Sequence, residues 1–251
     1  LADAGRAATL PYFRRGVAVE NKGDDSPVTA ADRGCEKALR ALLAAQYPQH
    51  AVYGEEFGGD LSAAQNGFAW ILDPIDGTRS FISGSRQYCT LIGLAHNGAP
   101  VLGVIDMPAL DERWMGCDAP EMRRAEFNGK ACAASGREEL SDAVFATTTL
   151  GVTEDSRDTA LRRLCRAAGQ VRLGGDASAF GSLAAGFLDG AADYEMACYD
   201  WMPLFPIIRA AGGTISDWAG NTPKLDGQKT GIVAASTAAL HRRALGALGD
   251  F

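Results

Sequence analysis

Trp70-Ile71-Leu72-Asp73-Pro74-Ile75-Asp76-Gly77-Thr78 is the stretch that decides the reading of this chain. It continues an apolar run, Phe68 to Leu72, which reads as a buried strand. Two aspartates three residues apart follow directly, with a proline between them. Pro74 has no backbone N–H and a fixed φ, so the chain is expected to turn there. Such a turn gathers both carboxylates and the Ile75 carbonyl around one point. Close carboxylates repel unless one is protonated or a cation lies between them. Hard oxygen donors favour Mg2+, which keeps several waters and bridges to phosphate. Gly77-Thr78 then opens what reads as a helical turn, whose free amides suit an anion, and Gly77 permits close backbone approach. A competing reading makes Asp76 an Asx-turn or helix cap. It accounts for one aspartate and not the other.

Upstream, Leu1 to Val17 reads as a helix, Asn21 to Thr29 as a polar loop, and Thr29 to Tyr47 as an amphipathic helix with Ala38, Leu39, Leu42 and Leu43 on its apolar face. A short strand, Ala51 to Tyr53, leads into Gly54-Glu55-Glu56-Phe57-Gly58-Gly59. Downstream, Tyr88 to Ala95 and Val101 to Met107 form a hairpin pattern through His96-Asn97-Gly98, and Arg113 to Cys117 extends the meander.

A second half begins near Ser141. Strands are expected at Val144 to Thr149, Val171 to Leu173, Thr214 to Trp218 and Gly231 to Ala235. Helices are expected at Asp158 to Ala168, Asp176 to Leu188, Asp200 to Ala211 and Thr237 to Leu248, with Gly212-Gly213 as a left-handed stop after the third. The expected organisation is an N-terminal α+β half, 1–140, and a C-terminal α/β half, 141–251, packed as one unit.

The 251 residues are 47% hydrophobic, enough for a substantial core. The net charge of -7 and a pI near 5.0 disfavour nucleic acid or an anionic membrane as partner. A small phosphate ester remains compatible, because a bound cation reverses the local field. Six cysteines without a C-x-x-C pair read as reduced thiols, hence a cytoplasmic protein, and the apolar runs are too short to span a bilayer. The sequence opens at Leu1, so the question of a preceding targeting segment stays open. Rival chemistries find little support. His50, His96 and His241 are scattered, and no G-x-x-x-x-G-K-[ST] loop occurs.

Asp73-Pro74-Ile75-Asp76-Gly77-Thr78 resembles the signature of the inositol monophosphatase superfamily. Gly54-Glu55-Glu56 resembles its upstream glutamate motif, and Ser26-Pro27-Val28-Thr29-Ala30-Ala31-Asp32 its N-terminal loop. Tyr199-Asp200-Trp201, followed by Ala210-Ala211-Gly212-Gly213, resembles its C-terminal motif. The resemblance implies a layered α/β/α/β/α sandwich and two or three Mg2+ per active site. It assigns Glu55, Asp73 and the Ile75 carbonyl to one ion, and Asp73, Asp76 and Asp200 to a second, with Glu55 shared by a third. It also implies that Thr78, oriented by Asp32, helps activate water, that the Gly77 and Thr78 amides bind phosphate, and that the protein is a homodimer.

Each of these residues also has an ordinary structural reading. Asp200 suits a helix N-cap, with Pro203 in the first turn. Glu55 beside Glu56 suits a solvated loop, and Asp32 favours a helix N-terminus electrostatically. Within the superfamily, Asp73 through Gly84, Gly174-Gly175-Asp176 and Pro206 resemble the histidinol-phosphate phosphatase branch. That branch implies hydrolysis of L-histidinol phosphate, with inositol 1-phosphate or a broad set of sugar phosphates as the alternative, and a non-catalytic relative as the remaining class. Asp176 and Asp193 can meet a cationic substrate by charge-assisted hydrogen bonds. Asp176 is equally a candidate helix cap, and Glu195 competes with Asp193 for the substrate-facing role.

Overall fold

Thr29 starts the first long helix. Its Oγ1 accepts the Ala31 amide at 3.1 Å, and Asp32 Oδ2 accepts the Thr29 N–H at 2.8 Å. The computed structural model describes residues 1–16, 18–21, 27–153 and 155–249. Helix α1, Ala2–Thr9, precedes an antiparallel ribbon of β1, Val19–Asn21, and β2, Pro27–Thr29, and α2 then runs Ala30–Gln46. Cys35, Leu39 and Leu43 of α2 recur every four residues and pack with Trp70, Leu72 and Ile92.

A seven-stranded sheet follows in sequence order: β3, Ala51–Gly54; β4, Phe68–Asp76; β5, Cys89–His96; β6, Ala99–Met107; β7, Glu112–Ala119; β8, Met122–Phe127; and β9, Lys130–Ala131. Only β3 and β4 run parallel. A short helix α3, Thr78–Ile82, leaves the end of β4. Asn97 and Gly98 connect β5 to β6 with φ of +51° and +78°, the two positive values that a tight hairpin needs. Period-2 alternation divides β4 between two cores. Trp70 and Leu72 face α2, whereas Ala69 and Ile71 face the centre of the molecule.

The second sheet holds β10, Val144–Thr147; β11, Gln170–Leu173; β12, Gly190–Met196; β13, Thr214–Asp217; and β14, Thr230–Ala235. Their spatial order is β11-β10-β12-β14-β13. The remaining helices are α4, Ser156–Ala167; α5, Asp176–Ala184; α6, Cys198–Trp201; α7, Leu204–Ala210; and α8, Ala238–Leu248. Helices α1 and α2 cover the outer face of the large sheet. Helices α5, α6 and α7 lie between the sheets, and α4 and α8 close the outer face of the small one. This is the α/β/α/β/α layering that the resemblance implied. The central cluster joins Ile71, Leu91 and Trp114 from the first half to Phe205, Ile208 and Ile232 from the second. Glycines admit the middle layer: a Cβ on Gly103 would meet the Pro203 carbonyl oxygen at 1.8 Å, and one on Gly116 would meet Ile207 Cα at 2.2 Å.

Several expectations need correction. Pro74 does not turn the chain, because β4 continues to Asp76 through a bulge in which Asp73 pairs with Leu91 and Asp76 with Cys89. A proline that cannot donate to the ladder is tolerated at such a bulge. The helix expected over Leu1 to Val17 stops at Thr9 and a single 3-10 turn, Leu10–Tyr12, at Pro11, while Val17 and the expected loop residues 22–26 lie outside the described residues. On α2, Leu42 is exposed rather than part of the apolar face. The helix from Asp176 stops at Ala184, and β8 and β12 have no counterpart in the sequence reading. Strand β12 is buried on both faces and rich in alanine, so it shows no alternation, and β8 carries the exposed Arg123 and Arg124 followed by the half-buried Glu126.

The helix expected over Asp200 to Ala211 is two helices. Pro203 precedes the second, and Pro206 falls in its first turn, where the missing N–H breaks no bond within α7. Gly212, at φ +88°, supplies the expected left-handed stop.

Candidate active site

The β4 bulge decides the geometry. In a regular strand, residues three apart point to opposite faces, whereas one extra residue returns Asp73 and Asp76 to the same side. Helix α6 delivers Asp200 to the same point, and ligand oxygens of Asp73, Asp76 and Asp200 all lie within 4.8 Å of one another. Each carboxylate is pinned by a backbone amide. Asp73 Oδ1 accepts from Ile75 N at 3.0 Å, Asp76 Oδ2 from Ala177 N at 2.9 Å, and Asp200 Oδ2 from Ala197 N at 2.7 Å. The Cys89 thiol also reaches Asp76 Oδ2, at 3.3 Å. Asp200 is therefore not an N-cap residue. It sits inside α6 and reaches back to the Ala197 amide.

Glu55 leaves the end of β3, with its amide bonded to the Leu72 carbonyl at 3.1 Å. Its charge acts on this group. Burial pushes Asp73 well above the usual carboxylate range, and repulsion from Glu55, Asp76 and Asp200 pushes it further. Asp76 is raised by burial and by Asp200, and Asp200 by burial and by Glu55. Buried like charges held this close call for protons or a cation, and an all-oxygen donor set fits a hard divalent ion. None of the three histidines enters the site: His50 and His96 stack on Phe68, and His241 is buried beside Ser216.

Gly77 has φ +79°, and a Cβ there would meet Asp176 Oδ2 and the Gln87 carbonyl oxygen, each at 3.0 Å, so the position requires glycine on both counts. Gly77, Thr78, Glu55 and Asp176 line one cavity of about 390 Å³. The expected orientation of Thr78 by Asp32 is not formed. Thr78 Oγ1 donates to the Ile75 carbonyl at 3.1 Å, and Asp32 Oδ2 accepts from the Thr29 hydroxyl at 2.5 Å. The helix cap claims Asp32, while its Oδ1 is buried with no hydrogen-bond partner among the described residues.

An adjoining cleft of about 380 Å³ is lined by Asp76, Asp176, Asp193, Glu195 and Asp200, together with Arg79 and Lys229. Asp176 is not an N-cap. It lies within α5 at φ +44°, with its amide bonded to Thr148 Oγ1 at 2.9 Å, and burial followed by Asp76 raises its pKa. Asp193 Oδ1 accepts four bonds, from the hydroxyls of Thr147 and Thr149 and the amides of Thr148 and Thr149. Burial still raises its pKa against those bonds. Glu195 is more exposed and is paired with Arg157. Sequence reasoning missed the two basic residues of this cleft as site residues, since an isolated lysine or arginine carries no local signal of what it faces. A larger cleft of about 470 Å³ lies beside Asp3, Arg6, Asp111 and Arg113, but its arginines are already paired with Asp106 and it holds none of the clustered carboxylates.

Residues 1–250 match the inositol monophosphatase family model. The chain belongs to the inositol monophosphatase family. It is a phosphoric monoester hydrolase by that membership and by its relatives. It is 36% identical to a histidinol-phosphatase of Chlorobaculum parvum, over 100% of this chain and 94% of that protein. It is also 36% identical to a bifunctional phosphatase, IMPL2, of Arabidopsis thaliana, over 99% of this chain and 72% of that protein. Among solved structures, an inositol monophosphatase from Zymomonas mobilis superposes with a TM-score of 0.86 at 34% identity, covering 98% of this chain and 94% of that one. All six cysteines are free thiols, and among the described residues no helix is long and apolar enough to cross a membrane.

Proposed function

We propose that this phosphatase hydrolyses L-histidinol phosphate to L-histidinol and phosphate with Mg2+ as its metal. One observation carries the reading: an acidic cleft, lined by Asp176, Asp193 and Glu195, opens directly beside the Asp73, Asp76 and Asp200 cluster. The cluster suits the phosphate end of a substrate through bound cations, and the cleft suits a cationic end. The names of relatives support the same substrate.

Glu55, Asp73 and the Ile75 carbonyl would hold one Mg2+, and Asp73, Asp76 and Asp200 a second, with a third sharing Glu55. Bound there, the ions would screen the phosphate charge and acidify a water for in-line attack. The Gly77 and Thr78 amides, at the N-cap and first residue of α3, orient the phosphate. Thr78 lines the same cavity as Gly77 and Glu55, and Asp32, which keeps a buried Oδ1 without a hydrogen-bond partner among the described residues, would serve as a proton acceptor in this reading. No side chain is asked to carry the phosphoryl group, so water supplies the incoming oxygen.

Inositol 1-phosphate is the second reading, favoured by the Zymomonas mobilis likeness. The ratio of kcat/KM for histidinol phosphate and inositol 1-phosphate, measured with Mg2+, decides between them. A preference for the inositol ester removes the first. Single turnover in labelled water tests the direct attack, which predicts one solvent oxygen in the released phosphate.

The 1–140 and 141–251 halves act as one catalytic unit in this reading, since Asp200 joins ligands from the first half. A cytoplasmic homodimer is part of it as well. Edge strand β11, exposed throughout, and the exposed Phe187 offer apolar surface for a second copy, which light scattering would test.

A further inference from the structure

Helix α2 turns a second stripe inward beside its apolar one. Asp32, Glu36 and Arg40 lie four residues apart, and Asp32 and Glu36 are fully buried. The function described so far makes no use of Glu36 or Arg40. Glu36 Oε2 accepts the Glu56 amide at 2.8 Å, and Glu36 Oε1 accepts Arg40 Nε at 2.7 Å. The same guanidinium reaches back to the loop, donating to the Gly58 carbonyl through Nη2 and, at 3.5 Å, to the Val52 carbonyl through Nη1. Gly54 and Gly58 close the loop by exchanging backbone bonds of 3.1 and 2.9 Å. Gly54 is glycine for a physical reason, since a Cβ there would lie 2.1 Å from Glu36 Oε1.

We infer that the Glu36–Arg40 pair is a positioning device that sets Glu55 at the carboxylate cluster and so tunes metal affinity. Glu55 stands between two anchored amides: its own, on Leu72, and that of Glu56, on Glu36. An acidic loop free of such anchors would be driven away from three other carboxylates by repulsion. The clamp opposes that drift through the backbone and leaves the Glu55 carboxylate facing the cluster. Arg40 has a second effect: it balances the charge of Glu36, which would otherwise be a further buried anion near the site. Glu36 and Arg40 act through Glu55, without a place among the reacting groups. The inference rests on the proposed metal role of Glu55.

The test is Glu36→Gln in the full chain, with Mg2+ binding measured by titration calorimetry and kcat measured at saturating Mg2+. The amide keeps the volume but has one acceptor oxygen where two bonds must be accepted, so one half of the clamp is lost. The expected result is an Mg2+ dissociation constant raised threefold or more, with kcat at saturating Mg2+ within twofold of the parent. Arg40→Lys, which keeps the charge and loses the forked reach, is expected to exceed the same threshold and serves if the first variant does not fold. A dissociation constant raised by less than threefold overturns the inference, even if the variant melts at a lower temperature, because that outcome marks a purely structural pair. If the parent chain shows no Mg2+ binding in the calorimeter, the metal reading itself fails, and that result is distinct from a parent that binds and a variant that binds equally well.

Discussion

Replacing Asp73 by Asn should make the metal-free protein more stable and the enzyme nearly inactive. The two effects have one cause. Oxygens of Asp73, Asp76 and Asp200 lie within 4.8 Å of each other, and a fully ionised pair at that distance repels by about 3.5 kcal/mol at an effective dielectric constant near 20. Asp73 faces two such partners as well as Glu55 and is buried, so the folded chain relieves the strain by holding protons. The sign follows. Folded-state pKa values are raised, so the stability these groups contribute is present below the unfolded-state pKa, near 4, and is lost as pH rises through the folded-state values. In chelator, the parent should therefore lose stability toward pH 8 through this cluster, and Asp73→Asn should lose less. Asn keeps an oxygen for the Ile75 amide, so no local bond need be sacrificed.

If relief amounts to only ~1–2 kcal/mol of that repulsion, the melting temperature at pH 8 in chelator rises by about 2–8 °C for a chain of this size. With saturating Mg2+ the order reverses, because the parent gains binding energy that the variant lacks. A lost ligand worth ~3 kcal/mol of transition-state charge stabilisation lowers kcat about 100-fold. Differential scanning fluorimetry at two pH values, with and without Mg2+, reads the stability half, and phosphate release reads the other. A variant that melts at or below the parent in chelator at pH 8 refutes the repulsion argument. Undiminished turnover refutes the catalytic assignment.

Mg2+ at about 100 times its dissociation constant should stabilise the parent by ~2.7 kcal/mol, about 5–10 °C in melting temperature, and chelator should abolish turnover. Asp176→Asn should raise KM for histidinol phosphate about 10- to 100-fold, as expected for loss of a charge-assisted bond, with a smaller effect on inositol 1-phosphate; equal effects on both would remove Asp176 from cation recognition. Gly116→Ala should lower the melting temperature, because the added methyl meets the backbone of α7 at Ile207, and overpacking costs about 1–3 kcal/mol. Burial lowers the pKa of His241, so the unfolded chain takes up the proton first and stability falls as pH drops below about 6.5; His241→Gln should flatten that limb in the presence of Mg2+.

Elements whose energetics are local were legible in the chain itself. Helix α2 was legible from Thr29 onward, with Leu39 and Leu43 rightly placed on its inward face, although Leu42 proved exposed and Cys35 took its place. The β5–β6 hairpin is written in Asn97-Gly98, which tolerate positive φ, and Gly212 marks a helix end in the same way. The apolar run leading to Asp73 and Asp76 announced both a strand and a place for chemistry. Strand β12 was invisible because burial on both faces erases the alternation, and the α6–α7 break was missed because Pro203 and Pro206 are each compatible with a helix start.

Only the tertiary structure decided that a bulge, not a turn, brings Asp73 and Asp76 to one side, and that Asp200 arrives there from the middle layer. The Glu36–Arg40 clamp and the four bonds held by Asp193 Oδ1 belong to the same class. The physical reason is that residue type and spacing encode backbone preference and burial periodicity, which act over a few residues. Repulsion, desolvation and hydrogen-bond partnership between distant side chains depend on distances that exist only once both sheets have closed on the central helices.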